Sequence, residues 1–282
     1  MPTFETRGPI RATVAVVVGD IRIDAGERTM TVVDVRPSDP TDKEDVLAAE
    51  QTRVEYRGGQ LLVKTPKPRS WSIRSHGGSV DVAIELPAGS ELHLTGQMAE
   101  LACDGELGDC RVKNGIGQIR LGTVGALNVK TGSGDIDVVR AGGHADIVAG
   151  SGDVRVGELA AGATIKNSNG DTWVGVAHGE LRLSAANGSL AVDHAHANVV
   201  AKAANGDVRA GDVVRGTVVL ETQVGDVEVG IREGTAAFVD VSATAGRVHN
   251  GLQATENPGP SAETVEVRAR TTLGNVVVGR AA

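Results

Sequence analysis

Five aspartates in this chain each follow a glycine at a nearly constant spacing: Asp135, Asp153, Asp171, Asp207 and Asp226. Ser189 holds the same place after Gly188. Carboxylates repeated in this way can hold a cation such as Ca²⁺, or act in pairs as acid and base in glycoside hydrolysis. Stacked about 5 Å apart, their charges would repel by roughly 1 kcal/mol in water and by several at lower effective dielectric. Something must relieve that repulsion. Calcium-binding β-rolls place the acid within Gly-Gly-x-Gly-x-Asp-x-aliphatic in both halves of a coil, whereas here it follows glycine directly and at one corner only. The alternative relief is local. Each Asp side chain can bond backbone amides of its turn, and Lys130, Lys166 and Lys202 stand across the same corner from Asp135, Asp171 and Asp207. The local answer is the expectation; the five aspartates remain the weaker candidates for a metal site.

Other residues with chemical potential are few. His178 and His196 occupy equivalent places in successive repeats, with His194 beside them. Stacked imidazoles can bind zinc, but no third ligand stands in register, so exposed corner histidines are expected. Cys103 and Cys110 do not form a Cys-x-x-Cys pair; both point inward by phase and are expected to act as small apolar residues. Trp173 points outward with Arg155 in its column, the character of a contact residue for a partner. Trp173, Arg155, Lys130, Lys166 and Lys202 are therefore the expected interaction face. Gly132-Ser133-Gly134 precedes no helix and no Gly-Lys-Ser/Thr, so it is not a phosphate loop. No Gly-x-Ser-x-Gly elbow stands in a believable setting. No catalytic residue and no cofactor are expected.

The elements that carry these residues are set by a repeat. Gly117, Gly134, Gly152, Gly170, Gly188, Gly206, Gly225 and Gly246 recur at steps of 17 to 21 residues. Apolar residues stand seven and five positions before each centre and two and four after it: Leu127, Val129, Ile136 and Val138 around Gly134; Leu181, Leu183, Leu190 and Val192 around Gly188; Val218, Leu220, Val227 and Val229 around Gly225. The same phase extends upstream to Gly78 (Trp71, Ile73, Val80, Val82) and Ala99 (Leu92, Leu94, Leu101, Cys103), and downstream to Gly274 (Val267, Ala269, Val276, Val278). Even spacing on both sides of a corner means two short strands, each burying one face. A period near 20 means stacked units. The chain is read as all-β: a β-solenoid, or β-helix-like stack, of about 18-residue two-strand coils. A two-sheet sandwich of hairpins is the alternative, because Asn187-Gly188 and Asn205-Gly206 are also hairpin-turn sequences.

Residues 1–75 read as a β-rich cap, and 76–282 as the repeat solenoid continuous with it. Strands are expected at Ile10–Val18, Asp20–Asp24, Thr29–Arg36, Thr52–Tyr56 and Gln60–Thr65. Thr41 and Glu44 have capping-box spacing and predict one helix over 41–51. Beyond Gly246 the spacing breaks, and Thr255–Ser261 reads as a loop before a last strand pair.

Composition narrows function. Aromatics are 2% of the 282 residues and glycines number 38, so the interior must be filled by small aliphatics. A net charge of −8 argues against nucleic acid, which demands a basic face. No stretch reaches the ~18–20 apolar residues of a membrane span, and Thr13–Val18 is too short for a signal peptide. The reading is a cytoplasmic protein without membrane insertion.

Leu86-Pro87-Ala88-Gly89 leading into repeated Thr/Ala-Gly-Ser-Gly-Asp corners resembles the bacterial "putative adhesin" family of β-strand-repeat proteins, a toast-rack-like domain of unknown function. The resemblance covers roughly residues 70–280, and Gly19-Asp20-Ile21 is similar to its actinobacterial members. It implies a β-solenoid without known catalytic residues, of a kind that also accompanies membrane-stress systems as interaction scaffolds. The expected function is a non-enzymatic scaffold for protein–protein interaction, with self-association through edge strands. The alternatives are a surface adhesin, a Ca²⁺-binding protein and a carbohydrate-active β-helix. Five aromatics in the whole chain leave the last without sugar-stacking platforms.

Overall fold

Alternation decides which atoms leave water. In an extended strand successive side chains take opposite faces, so Val154 and Val156, Leu181 and Leu183, or Val227 and Val229 enter the interior while the residues between them stay outside. The computed structural model describes residues 1–66, 78–253 and 263–281. It forms two units, Met1–Val139 and Arg140–Ala282, in each of which parallel strands stack into coils around an aliphatic column.

The first unit contains β1 (Thr3–Glu5), β2 (Arg11–Gly26), β3 (Met30–Pro37), α1 (Lys43–Glu50), β4 (Arg53–Arg57), β5 (Gln60–Lys64), β6 (Val80–Pro87), β7 (Glu91–Glu106), β8 (Cys110–Ile116), β9 (Ile119–Val124) and β10 (Leu127–Ser133). β11 (Ile136–Ala141) spans the boundary. β2 and β7 each run through a whole coil, turning its corner without a break. Arg11–Ala15 of β2 lies between β5 and β7, and Gly19–Ala25 between β6 and β7. The first coil in sequence is therefore interior to the stack, with β5 and β6 outside it. The closure is built by antiparallel pairing of β3 on β6, β1 on β3 and β4 on β5, which occupies edges that would otherwise be open. Of residues 1–75, then, β2 is itself a coil, and the closure comprises β1, β3, β4 and β5 with α1 alongside.

Two local expectations shift. The helix is capped by Asp42, whose side chain accepts from the Glu44 amide at 2.7 Å, and not by Thr41, whose hydroxyl donates to Asp39. The extrapolated centre at Gly78 is displaced by two residues: Val80 lies in register with Gly19, and Val82 with Ile21. Gly78 answers a different constraint, because a Cβ there would stand 2.1 Å from the Glu44 carbonyl oxygen of α1. Trp71 and Ile73, and the expected loop at Thr255–Ser261, lie outside the described residues.

The second unit continues with β12 (Ala145–Ser151), β13 (Val154–Leu159), β14 (Ala163–Asn169), β15 (Thr172–Ala177), β16 (Leu181–Asn187), β17 (Leu190–Ala195), β18 (Val199–Asn205), β19 (Val208–Val213), β20 (Gly216–Val224), β21 (Val227–Ile231), β22 (Ala236–Ala245), β23 (Val248–Asn250), β24 (Thr264–Leu273) and β25 (Val276–Arg280). β16 pairs in parallel with β14 and β18, and β17 with β15 and β19. Asn187-Gly188 is thus a corner between two sheets and not a hairpin, which sets aside the sandwich. At that corner Gly188 has φ +136°, and a Cβ would meet the Gly170 carbonyl oxygen at 2.0 Å, so only glycine fits.

The last coils are out of chain order. β20 pairs with β24 and β24 with β22, while β21 pairs with β25 and β25 with β23. The C-terminal strand pair is inserted beneath the pair that precedes it in sequence. Phase alone had no means of showing this, because β24 and β22 present the same alternation.

Candidate interaction face and corner ladders

The aspartate row is a hydrogen-bonded ladder along the stack. Asp153 Oδ1 accepts the Asp171 amide at 3.0 Å, and Asp171 Oδ1 accepts the Ser189 amide at 2.8 Å. Asp207 Oδ1 accepts the Asp226 amide at 2.8 Å, and Asp226 Oδ1 accepts the Asn275 amide at 2.7 Å. Asn275 then accepts from the Arg247 amide at 3.1 Å, so the ladder follows the inserted order of coils. Each of these carboxylates bonds a backbone amide of the neighbouring coil. Asp135, in the first unit, sits at the β10–β11 corner, where its carbonyl accepts from the Ile119 amide at 2.9 Å. Among the described residues no group of three or more His, Cys, Asp and Glu is placed to hold a metal ion.

Two further ladders escaped the sequence reading. Asn205 donates to Asn187 Oδ1 at 3.0 Å, and Asn187 to Asn169 Oδ1 at 2.9 Å. Their signal was the Asn-Gly dipeptide at the same phase, there taken for a possible turn. Inside several corners, three residues before the glycine, a polar side chain reaches the corner carbonyls, while alanine holds that place before Gly152, Gly188 and Gly206. Asn167 donates to Gly152 O at 2.9 Å and Gly170 O at 3.0 Å, while Thr222 donates to Gly206 O at 2.8 Å. Asn114 donates to Ala99 O at 2.7 Å in the same way. Extending the even spacing inward by one more step finds this column.

Of the five residues expected to share an interaction face, the four in the second unit fall on two separate stacks of strands. Arg155 and Trp173 are neighbours in register on β13 and β15. Lys166 and Lys202 lie on β14 and β18, in the other sheet, separated in their column by Ser184. Lys130 stands in the first unit, in register with Lys113. Positions before and after a corner belong to different strands, so Lys166 and Lys202 lie in one stack of strands and Trp173 in the other. Lys202 pairs along the stack with Glu221 at 2.8 Å, and the relief of the aspartate row comes from backbone amides.

Trp173 is 38% exposed. Its indole lies over Gly175, where a Cβ would meet Cη2 at 3.1 Å, and its Nε1 donates to Asp193 Oδ2 at 3.1 Å. Arg155, in register with Trp173 one coil away, pairs with Asp153 of its own coil at 2.8 Å. The glycine lets the ring lie flat and the aspartate fixes its direction, leaving one aromatic face to solvent.

The histidines do stack: the rings of His178 and His196 are 5.2 Å apart at 14°. His178 faces Glu158 at 3.4 Å, and His194 faces Asp212 at 3.2 Å. Arg232 grips Asp212 through Nε at 3.1 and 3.2 Å. Burial, then the charges of Arg232 and His178, hold His196 below the usual imidazole range. Burial pushes Asp212 up, but its hydrogen bonds to Arg232 and His194 outweigh that and leave it below the usual carboxylate range.

Cys103 and Cys110 are free and buried. Burial pushes the Cys110 thiol up to about 12 and Cys103 well above its ordinary value, so both are protonated and poor nucleophiles at neutral pH. Among the described residues no helix is long and apolar enough to cross a membrane.

Comparison with solved structures finds similarity to a Bacteroides fragilis protein described as a "putative adhesin", at 10% identity and a TM-score of 0.33, covering 99% of this chain and 95% of that one. A Clostridium sporogenes protein described as a "putative cell adhesion protein" matches at 11% identity and a TM-score of 0.22, covering 98% and 96%. No curated protein matches. The Toastrack DUF4097 family model matches residues 13–278, and with nearly the whole chain matched, this chain belongs to the Toastrack DUF4097 family.

Proposed function

We propose that this chain is a non-enzymatic β-repeat scaffold that mediates protein–protein interaction in a membrane- or envelope-associated system, and that its partner is met by the sheet carrying Trp173. The observation that carries this reading is the solvent-facing indole of Trp173, held over Gly175 and oriented by Asp193. A rigid, half-exposed aromatic flanked by arginine is the side-chain type on which binding energy concentrates. Membership in a family of repeat domains supports the same reading, as does the pairing of charged side chains along the coils (Arg155 with Asp153, Lys202 with Glu221). Such charges tune specificity more than affinity.

The test is affinity recovery of the tagged chain from its native cells, with membrane and soluble fractions separated. A partner retained by the native chain and by a Lys166→Ala/Lys202→Ala variant, but lost with Trp173→Ala, supports the assignment. Truncation of a central anchor costs about 2 kcal/mol, roughly thirty-fold in Kd. Loss with the lysine variant alone would move the face to the other sheet. Absence of any partner from both fractions would count against a scaffold.

A further inference from the structure

The inserted coil order leaves β22 as the outermost strand of the second unit. It pairs with β24 from Ala236 opposite Thr264 to Ala245 opposite Leu273, and among the described residues no strand lies on its other edge. Its inward side chains Ala237, Val239, Val241 and Ala243 are only half-buried, whereas Val265, Val267, Ala269 and Thr271 one coil inside are 0–4% exposed. Among the described residues the aliphatic column therefore ends open. Edge strands are normally protected by lysine, proline, a bulge or a cover. The described strand Ala236-Ala-Phe-Val-Asp-Val-Ser-Ala-Thr-Ala245 has no lysine and no proline, and its one charge, Asp240, is turned to Arg270 at 3.1 Å. Phe238 beside it is 70% exposed. The first unit differs: there the antiparallel strands β1, β3 and β4 occupy the equivalent edges.

We propose that β22 joins two copies of this chain end to end, pairing antiparallel with itself about a two-fold axis through Val241. The sequence is self-complementary in that register. Inward residues meet inward residues where Val239 faces Ala243 and Val241 faces its own copy, while at each end half-buried Ala237 faces the exposed corner residue Ala245. Outward, Phe238 covers Thr244 and Asp240 faces Ser242, so no like charges stand opposite one another, the arrangement that destabilises cross-strand pairs. The two-fold contact is isologous and closes at a dimer. It satisfies the free backbone groups of the edge and covers the open end of the column with aliphatics of matching phase. A second copy is the occupant assigned because both the charge pattern and the apolar pattern match their own reversal. This association is independent of the partner reading above.

The experiment is sedimentation velocity on the full chain from about 1 to 200 µM, where mass action reveals a dimer. The expected species at the upper end has twice the chain mass of 28.9 kDa. The Ser242→Lys/Thr244→Lys variant places lysines on the outward side of the edge, away from the core, and is expected to be monomeric with unchanged melting. V241C is expected to form a disulfide-linked dimer on mild oxidation, since Cα atoms facing across an antiparallel pair lie about 4.5–5.5 Å apart. A native chain that is monomeric throughout overturns the proposal. So does a dimer that survives the two lysines while V241C fails to cross-link. A monomer whose β22 amides are protected from hydrogen exchange would assign the edge to another segment of the same chain, residues 254–262 foremost, and would equally overturn it.

Discussion

Asp207 reaches across a coil boundary: its Oδ1 accepts the backbone N–H of Asp226 at 2.8 Å. The bond requires an acceptor oxygen, not a charge, as Asn275 demonstrates by accepting from the Arg247 amide at the same phase. Asp207→Ala is expected to lower stability by about 1 kcal/mol, the net worth of one such bond with a half-solvated partner. Asp207→Asn should restore most of it. Denaturant melts of the two variants distinguish this from cation binding: if the row were a metal site, the Asn variant would lose as much as Ala, and a chelator would lower the native melting temperature.

Two glycines separate crowding from backbone conformation. Gly206 has φ +144° and a Cβ there would stand 2.1 Å from the Gly188 carbonyl oxygen, whereas Gly234 has φ +84° with open space around it. Gly206→Ala is expected to cost about 3 kcal/mol or more, because backbone of the next coil must shift. Gly234→Ala should cost only about 1 kcal/mol for its left-handed conformation. Equal losses in the two melts would contradict the stacking geometry.

Acid should loosen the stacked histidines. His196 sits below the usual imidazole range because of burial, Arg232 and His178, against the opposing pull of Asp212. The unfolded chain, titrating near 6.5, then binds a proton that the folded chain refuses, so stability falls as pH drops through about 6.5 until folded His196 also protonates. Thermal melts from about pH 7.5 to 5.5 should decline for the native chain and decline less for His196→Gln. A parallel decline in both would remove His196 as the cause.

The two thiols serve as reporters of opening. With Cys110 at about 12 and Cys103 also raised by burial, both should resist iodoacetamide in the native state near pH 8 and react fully in denaturant. Rapid alkylation of the native chain would show that the coil carrying Cys103 opens readily.

Much of the architecture was legible because burial in a strand follows a period of two. Leu181, Leu183, Leu190 and Val192 were expected inside from their offsets around Gly188, and each is buried. The corner glycines were legible for the same reason: a φ near +136° beside a neighbouring carbonyl admits nothing larger. The interior polar column escaped because Asn167 and Asn114 look like solvent residues until the corner carbonyls they bond are in view. The interaction residues were legible singly but not as a group. Outwardness can be counted along a chain, but Lys166 and Trp173 lie on strands of different sheets.

By itself the sequence determined the coil: which residues face inward, where the corner falls, and why glycine stands there. Those are consequences of backbone geometry within some 18 residues. The order of the coils was decided only in three dimensions. β2 lies inside β5 and β6, and β24 lies between β20 and β22. Every coil offers its neighbours the same alternation of aliphatics and the same strand edge, so local fit does not distinguish one stacking order from another. That choice falls to the connections between coils and to which edges the ends of the chain can cover.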